Sequence, residues 1–133
     1  MSRLIRHFKA PKYGSKSCRC HLGHCHQSVF EAEYCDQLGM MCRARAISSF
    51  ASQVSYPLCV NGTQICTHIV DFVVHTKDGK EEIHEVKGFA TPVWELKYKL
   101  FKALYPELKY LIITKDYYAS RDKYSRPRRR RTY

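Results

Sequence analysis

The sequence has no long apolar segment. None of its apolar runs approaches the roughly 18–20 residues that a membrane-spanning helix needs, so we expect no membrane association. Residues 1–14 are basic and lack the apolar segment of a secretory signal, which predicts an intracellular protein. Seven cysteines, an odd number, without an export signal argue against a disulfide framework and favour a reducing compartment.

Acidic residues are missing from residues 1–30, which contain six basic residues, whereas residues 119–133 contain seven basic residues and one acid. Because residues 31–118 are nearly neutral, the net charge of +11 is concentrated at the two ends. We expect a basic arm over 1–16, a folded core over 17–118 and a flexible basic tail over 119–133. Such arms neutralise phosphates and predict a nucleic-acid partner without indicating which nucleic acid, although a tail that only aids solubility is the alternative. The basic residues expected to contact DNA there are Lys12, Lys16, Arg126, Arg128, Arg129, Arg130 and Arg131.

The core reads as a single α/β domain with the order α-β-β-β-α-β, a small mixed sheet with flanking helices. Ser28 and Glu31 form a capping-box pattern that begins the first helix, and Thr91-Pro92 begins the second. Asn61-Gly62 predicts a tight hairpin between two strands. In the second helix we expect a buried apolar stripe, formed by Val93, Leu96, Leu100, Phe101 and Leu104.

Asp71 lies within an apolar strand, and Glu85 and Lys87 end the next strand with the alternate spacing that places them on one face. If Lys77–Gly79 is a three-residue loop with a left-handed Gly79, Asp71 lies opposite Glu85. A two-residue loop would send the two acids to opposite faces. We favour the three-residue loop, because two isolated buried acids would be the costlier arrangement.

Two facing carboxylates are suited to a hard divalent cation, and a neighbouring lysine can orient water and offset phosphate charge. This combination indicates phosphodiester hydrolysis. The alternative is purely structural: a cross-strand Lys–Glu pair with a stray aspartate on a solvated face.

The Asp71…Glu85-x-Lys87 pattern resembles the PD-(D/E)XK nuclease superfamily. Further motifs follow in the order of a phage-encoded family that is similar to Holliday junction resolvases: Lys12-Tyr-Gly14, Ser28-x-x-Glu31-Ala32, Ile47-x-x-Phe50-x-x-Gln53, Val70-Asp71-Phe72, Val86-Lys87-Gly88 and Leu96-Lys-x-Lys-Leu-Phe101. The similarity covers about residues 12–114. Val70 stands where the superfamily's name has proline, which weakens the match without affecting the chemistry.

The resemblance implies a restriction-endonuclease-like core that hydrolyses DNA with Mg²⁺ or Mn²⁺. Asp71, Glu85 and the backbone carbonyl of Val86 would hold the metal, and Lys87 would position the attacking water. Glu31 would act as an additional catalytic acid or as a ligand of a second metal, although its capping role needs no metal. Gln53 and Lys97 would contact DNA.

The function expected from the resemblance is a metal-dependent endonuclease acting on branched or structured DNA, as a homodimer in the host cytoplasm if the gene is phage-encoded. Two alternatives stay open: a restriction-like or nicking nuclease on duplex DNA, and a non-catalytic nucleic-acid-binding zinc protein.

A separate segment is rich in cysteine and histidine and offers soft ligands for a structural zinc: Cys18, Cys20, His24, Cys25 and His26. The paired C-x-x-C spacing is absent, and a hairpin would split alternate residues between two faces. The alternative is a hairpin with reduced, partly buried thiols.

Overall fold

The computed structural model describes residues 18–116, with the side chain of Cys18 excepted. These residues belong to two compact units with a boundary between residues 40 and 41. The predicted basic arm and basic tail, with their lysines and arginines, lie outside the described residues.

The first unit contains a small hairpin and most of a helix. Strands β1 (Cys18–Arg19) and β2 (Cys25–His26) pair antiparallel around Gly23, whose φ of +83° suits glycine. Helix α1 (Val29–Arg43) then begins as predicted, because the Ser28 hydroxyl oxygen accepts a hydrogen bond from the Glu31 N–H at 3.1 Å. The helix buries a set of mostly small or apolar residues on one side: Glu31, Ala32, Tyr34, Cys35, Leu38 and Gly39.

The second unit contains a four-stranded mixed sheet and a helix, which confirms the predicted α/β class. Its strands are β3 (Ile47–Val60), β4 (Thr63–Thr76), β5 (Glu81–Val86) and β6 (Lys109–Ile113), and they lie in the order β3-β4-β5-β6. Within this sheet, β4 pairs antiparallel with both β3 and β5, whereas β6 is parallel to β5. A parallel neighbour requires a crossover, and helix α2 (Pro92–Leu104) supplies it. The elements from α1 to β6 follow the predicted α-β-β-β-α-β order along the chain.

Both predicted hairpin turns are confirmed. Asn61 and Gly62 have φ values of 49° and 78°, the two positive angles that a type I′ turn requires. Gly79 has a φ of 81°, and the Thr76 N–H donates to the Lys80 carbonyl at 2.9 Å across a three-residue loop. The resulting register pairs Phe72 with His84, as the three-residue loop predicts.

The alternation of side chains along β4 is interrupted at Asp71. Val70 and Val73 belong to the same buried cluster, although strict alternation would place residues three apart on opposite faces. On β3, Gln53 lies between the residues paired with Val70 and Phe72, and its φ of 54° is left-handed. A non-glycine residue in this region stores backbone strain, so the strain is located beside the candidate carboxylate.

Helix α2 packs on the sheet with part of the predicted stripe, since Phe101 is buried and Leu100 and Leu104 pack against the core cluster. Val93 and Leu96 are 65% and 69% exposed, so placing them in the buried stripe was wrong. Two aromatic residues outside the predicted stripe, Trp94 and Tyr98, make ring contacts on this side of the helix together with Phe101. These side chains bury more area than valine or leucine, which explains why the helix presents this face to the sheet.

Candidate functional site

Asp71 and Glu85 meet where the β4–β5 ladder ends. Beyond the Phe72↔His84 pair, their side chains bond to the backbone of the opposite strand. The Asp71 N–H donates to Glu85 Oε2 at 3.1 Å, and the Val86 N–H donates to Asp71 Oδ2 at 2.9 Å. Both acids are buried, at 9% and 3% exposure. The structure therefore brings together the two acidic residues that the hairpin register predicts as neighbours.

Lys87 directly follows β5 and is the third predicted residue at this place. Its N–H donates to the Ile113 carbonyl at 3.0 Å, which fixes its backbone to β6. Its Nζ lies 3.8 Å from Glu85 Oε1, and a quarter of its side chain is exposed. Val86 lies between the two residues, and the metal-binding role of its carbonyl stays a prediction.

Trp94 was not anticipated as a site residue. Its indole N–H donates to Glu85 Oε1 at 3.0 Å, and Lys87 Nζ lies 4.7 Å from the centre of its ring. The contact depends on Thr91, which caps α2 by accepting from the Trp94 N–H at 3.2 Å. One sequence signal could have suggested this role for Trp94. The residue lies in the first turn of a helix that begins a few residues after Glu85-x-Lys87.

Tyr110 and His68 complete the surroundings of Glu85. The Tyr110 hydroxyl donates to Glu85 Oε2 at 3.4 Å, and His68 Nε2 lies 2.9 Å from the same hydroxyl oxygen. Burial lowers the pKa of His68 to about 4, with smaller contributions from the positive charges of Lys97 and Lys87. Burial, together with the nearby carboxylates, raises the pKa of Tyr110. Both groups are therefore neutral near pH 7.

Burial and the neighbouring donors shift the pKa of the Glu85 carboxyl in opposite directions. Burial raises its pKa, whereas the Asp71 N–H, Lys87, Trp94 and Tyr110 all favour the carboxylate. The net pKa is raised above the ordinary value for glutamate. A carboxylate held by this many donors has a fixed orientation, which suits a metal ligand.

The remaining residues predicted to contact DNA are spread over the second unit. Gln53 is exposed on β3 beside Asp71, and Lys97 on α2 donates from Nζ to the Thr67 carbonyl at 3.1 Å. Whether these two bind DNA stays a prediction. No helix within residues 18–116 is both long and apolar enough to cross a membrane.

A second cluster lies in the first unit and could hold a metal ion. Its ligand atoms come from Cys20, His24, His26 and Cys35, and they all lie within 4.8 Å of one another. The two sulfur atoms are 3.7 Å apart, and His24 Nδ1 is 3.3 Å from Cys35 Sγ. Burial raises the pKa of the Cys35 thiol to about 12, so a bound metal would have to displace its proton.

This cluster corrects the predicted ligand set. Cys20, His24 and His26 belong to it, but Cys25 is exposed, because neighbouring residues of a strand point to opposite faces. The side chain of Cys18 lies outside the described residues. Cys35 was missed as a ligand, although its position three residues before the buried Leu38 on α1 indicated an inward orientation.

Glu31 belongs to the first unit, where it is buried in the first turn of α1. Its Oε2 lies 3.8 Å from His26 Nδ1. The capping box predicts a hydrogen bond from the Glu31 N–H to the Ser28 hydroxyl oxygen, and this bond is confirmed. Its expected part in catalysis stays a prediction.

Comparisons with known proteins give one match. No curated protein and no solved structure matches the chain. Residues 10–121 match a family described as a protein of unknown function, DUF1064. Since this range covers both described units and most of the sequence, the chain belongs to the DUF1064 family.

Proposed function

We propose that this protein is a metal-dependent endonuclease that hydrolyses phosphodiester bonds in branched or structured DNA. The observation that carries the proposal is the contact between the buried Asp71 and Glu85, with Lys87 Nζ 3.8 Å from Glu85. The resemblance to PD-(D/E)XK nuclease sequences supports the same assignment.

The burial of two adjacent acids needs a reason, because each loses its hydration. This desolvation cost favours a role other than stability for the pair. The hydrogen-bond donors to Glu85 also leave one carboxylate lone pair for a cation. Within the described residues, Glu85 accepts hydrogen bonds from Asp71, Trp94 and Tyr110, which fill three of its roughly four lone-pair positions.

Asp71 and Glu85 would hold Mg²⁺ or Mn²⁺, which prefer carboxylate oxygens. Such a cation supplies positive charge at the scissile phosphate. Lys87, whose side chain is partly exposed, would turn its ammonium group from Glu85 towards the substrate, donate a hydrogen bond to the attacking water and offset phosphate charge. Trp94 and Tyr110 would keep the Glu85 carboxylate in place throughout.

The choice of DNA rests on the resemblance and on the two basic ends of the sequence. Arginine-rich segments supply phosphate contacts that are independent of base sequence. Cleavage of two opposed strands at a junction requires two active sites, which favours a symmetric homodimer.

We also propose that the cluster formed by Cys20, His24, His26 and Cys35 binds a structural zinc ion. Two thiolates and two imidazoles form a Cys₂His₂ set, the donor type of closed, tetrahedral zinc sites. The ion would connect the β1–β2 hairpin to α1. This cluster also favours the alternative function, a nucleic-acid-binding zinc protein without cleavage.

Cleavage of labelled substrates distinguishes these functions. Wild-type protein is incubated with a four-way junction, a linear duplex and a single strand, each with Mg²⁺, with Mn²⁺ or with a chelator. We expect metal-dependent cleavage, with the junction preferred. Preferred cleavage of the linear duplex would favour the restriction-like alternative. Tight DNA binding without cleavage under every condition would favour the non-catalytic zinc protein.

A further inference from the structure

Glu31 lies beside the Cys/His cluster rather than on an exposed surface. His26 Nδ1 and Glu31 Oε2 are 3.8 Å apart, and the two residues are 2% and 8% exposed. Cys35, a member of the cluster, follows Glu31 by one helical turn, so both project from the same side of α1.

A histidine that binds a metal through one ring nitrogen generally donates its other ring N–H to a carboxylate or carbonyl. That second bond selects the tautomer, holds the ring in position and makes the ligating nitrogen a stronger donor. The Nδ1 atom of His26 lies 3.8 Å from a buried carboxylate, so in this arrangement Nε2 would be the nitrogen that binds the metal. The 3.8 Å separation is longer than a hydrogen bond, so metal binding would have to bring His26 Nδ1 and Glu31 Oε2 closer together.

The other acid near the cluster has a different partner. Asp36 Oδ1 accepts from the His21 N–H at 2.8 Å, and its Oδ2 lies 3.7 Å from His21 Nε2. Asp36 therefore fixes the turn between the two short strands, whereas Glu31 faces a residue of the cluster itself.

We propose that Glu31 is a positioning residue of the Cys20–His24–His26–Cys35 metal centre, where its carboxylate accepts a hydrogen bond from His26. This inference rests on the proposed zinc centre. It assigns to Glu31 a role that both the nuclease resemblance and the capping-box pattern leave out.

Cobalt(II) provides the probe, because it takes the place of zinc in such sites and its visible absorption reports the ligand geometry. Full-length wild-type protein, Glu31→Gln and Glu33→Gln are titrated with Co²⁺ and then with competing Zn²⁺. The first substitution keeps the size of the side chain and removes its negative charge. Glu33 is an exposed acid in the same part of α1, so its replacement is the matched control.

We expect Glu31→Gln to weaken Co²⁺ and Zn²⁺ binding by about 10- to 100-fold and to shift the Co²⁺ absorption bands. The control should keep wild-type affinity and spectrum. At saturating Zn²⁺ the far-ultraviolet circular dichroism of Glu31→Gln should match that of the wild type, which separates weaker binding from misfolding.

Wild-type affinity and an unshifted spectrum in Glu31→Gln would overturn the inference. If the same variant also lost DNA cleavage, the catalytic role would be correct instead. A wild-type protein that binds no Co²⁺ at these ligands would overturn the zinc centre and this inference together, without bearing on the Asp71–Glu85 site.

Discussion

The indole N–H of Trp94 donates to Glu85 Oε1 at 3.0 Å and thereby ties helix α2 to a carboxylate at the end of β5. The same ring lies 4.7 Å from Lys87 Nζ and stacks on Tyr98 with ring centres 5.0 Å apart. One side chain thus contacts two of the three proposed catalytic residues.

Replacing Trp94 with phenylalanine should separate these contacts. Trp94→Phe retains an aromatic ring for Tyr98 and Lys87 but removes the donor to Glu85. Because an outer hydrogen bond of this kind orients a metal ligand, we expect the Mg²⁺ concentration for half-maximal cleavage to rise about 10-fold. Tyr105→Phe removes a hydroxyl that contacts Pro57 instead, and it should leave the Mg²⁺ dependence unchanged. An unaltered Mg²⁺ dependence in Trp94→Phe would show that the bond does not position Glu85.

His68 should make the stability of the protein depend on pH. Its pKa in the folded state is about 4, below its ordinary value of 6.5, so the unfolded chain binds more protons between these values. The stabilising effect is complete above pH 6.5 and is lost as the pH falls to about 4. The shift corresponds to about 3 kcal/mol in the free energy of unfolding.

Denaturant unfolding at a series of pH values measures this effect. The His68→Leu variant should show a shallower loss of stability than the wild type between pH 6.5 and 4. His75, on the same strand, is partly exposed and lies 3.7 Å from Glu81, so His75→Leu supplies the control. Equal slopes in wild type and His68→Leu would mean that burial of His68 does not control the pH dependence.

The cysteines of the first unit should differ in their effect on metal content. Cys35→Ser removes one of four soft ligands, and we expect the purified protein to lose its zinc. Cys25→Ser alters a neighbouring but exposed thiol, and its zinc content should equal that of the wild type. Mass spectrometry measures the zinc content of the wild type and of both variants. Loss of zinc in Cys25→Ser but not in Cys35→Ser would reverse the ligand assignment.

The C-terminal arginines should contribute to DNA affinity without contributing to cleavage. Deletion of residues 126–133 removes five arginines. If the tail neutralises about three to five phosphates, the slope of log affinity against log salt concentration should flatten by roughly three to four units. Cleavage at saturating protein and low salt should persist.

Deletion of residues 132–133 alone removes no charged side chain and is the matched control. An unchanged salt slope in the longer deletion would indicate that the tail is only a solvated end. Loss of cleavage at saturation would indicate that the tail takes part in building the site.

Local sequence signals predicted the strands, the turns and the register of the β4–β5 hairpin. Asn61-Gly62 and Gly79 determine backbone angles within a few residues, so the positions of Asp71 and Glu85 followed from the sequence. The contact of Trp94 with Glu85 did not follow, because it depends on how α2 packs on the sheet. The apolar pattern of α2 even favoured Val93, one position away and exposed.

The metal cluster could be predicted only in part for a similar reason. Strand alternation separates Cys25 from His24 and His26, but the fourth ligand comes from α1, fifteen residues after Cys20. The interruption of alternation at Asp71, beside the left-handed Gln53, left no signal in the hydrophobic pattern, because residues on both faces of that part of β4 are apolar.

Single-turnover cleavage of a labelled four-way junction by Asp71→Asn tests the central proposal most directly. The asparagine can still accept the bond from the Val86 N–H, so the fold should be retained while the metal loses a charged ligand. We expect no cleavage above the metal-free background, with junction affinity equal to or tighter than that of the wild type, and the same loss of cleavage in Lys87→Ala. Asp78→Asn, an exposed change in the loop of the same hairpin, should cleave like the wild type. Wild-type cleavage by Asp71→Asn, or loss of junction binding together with cleavage, would contradict the proposed active site.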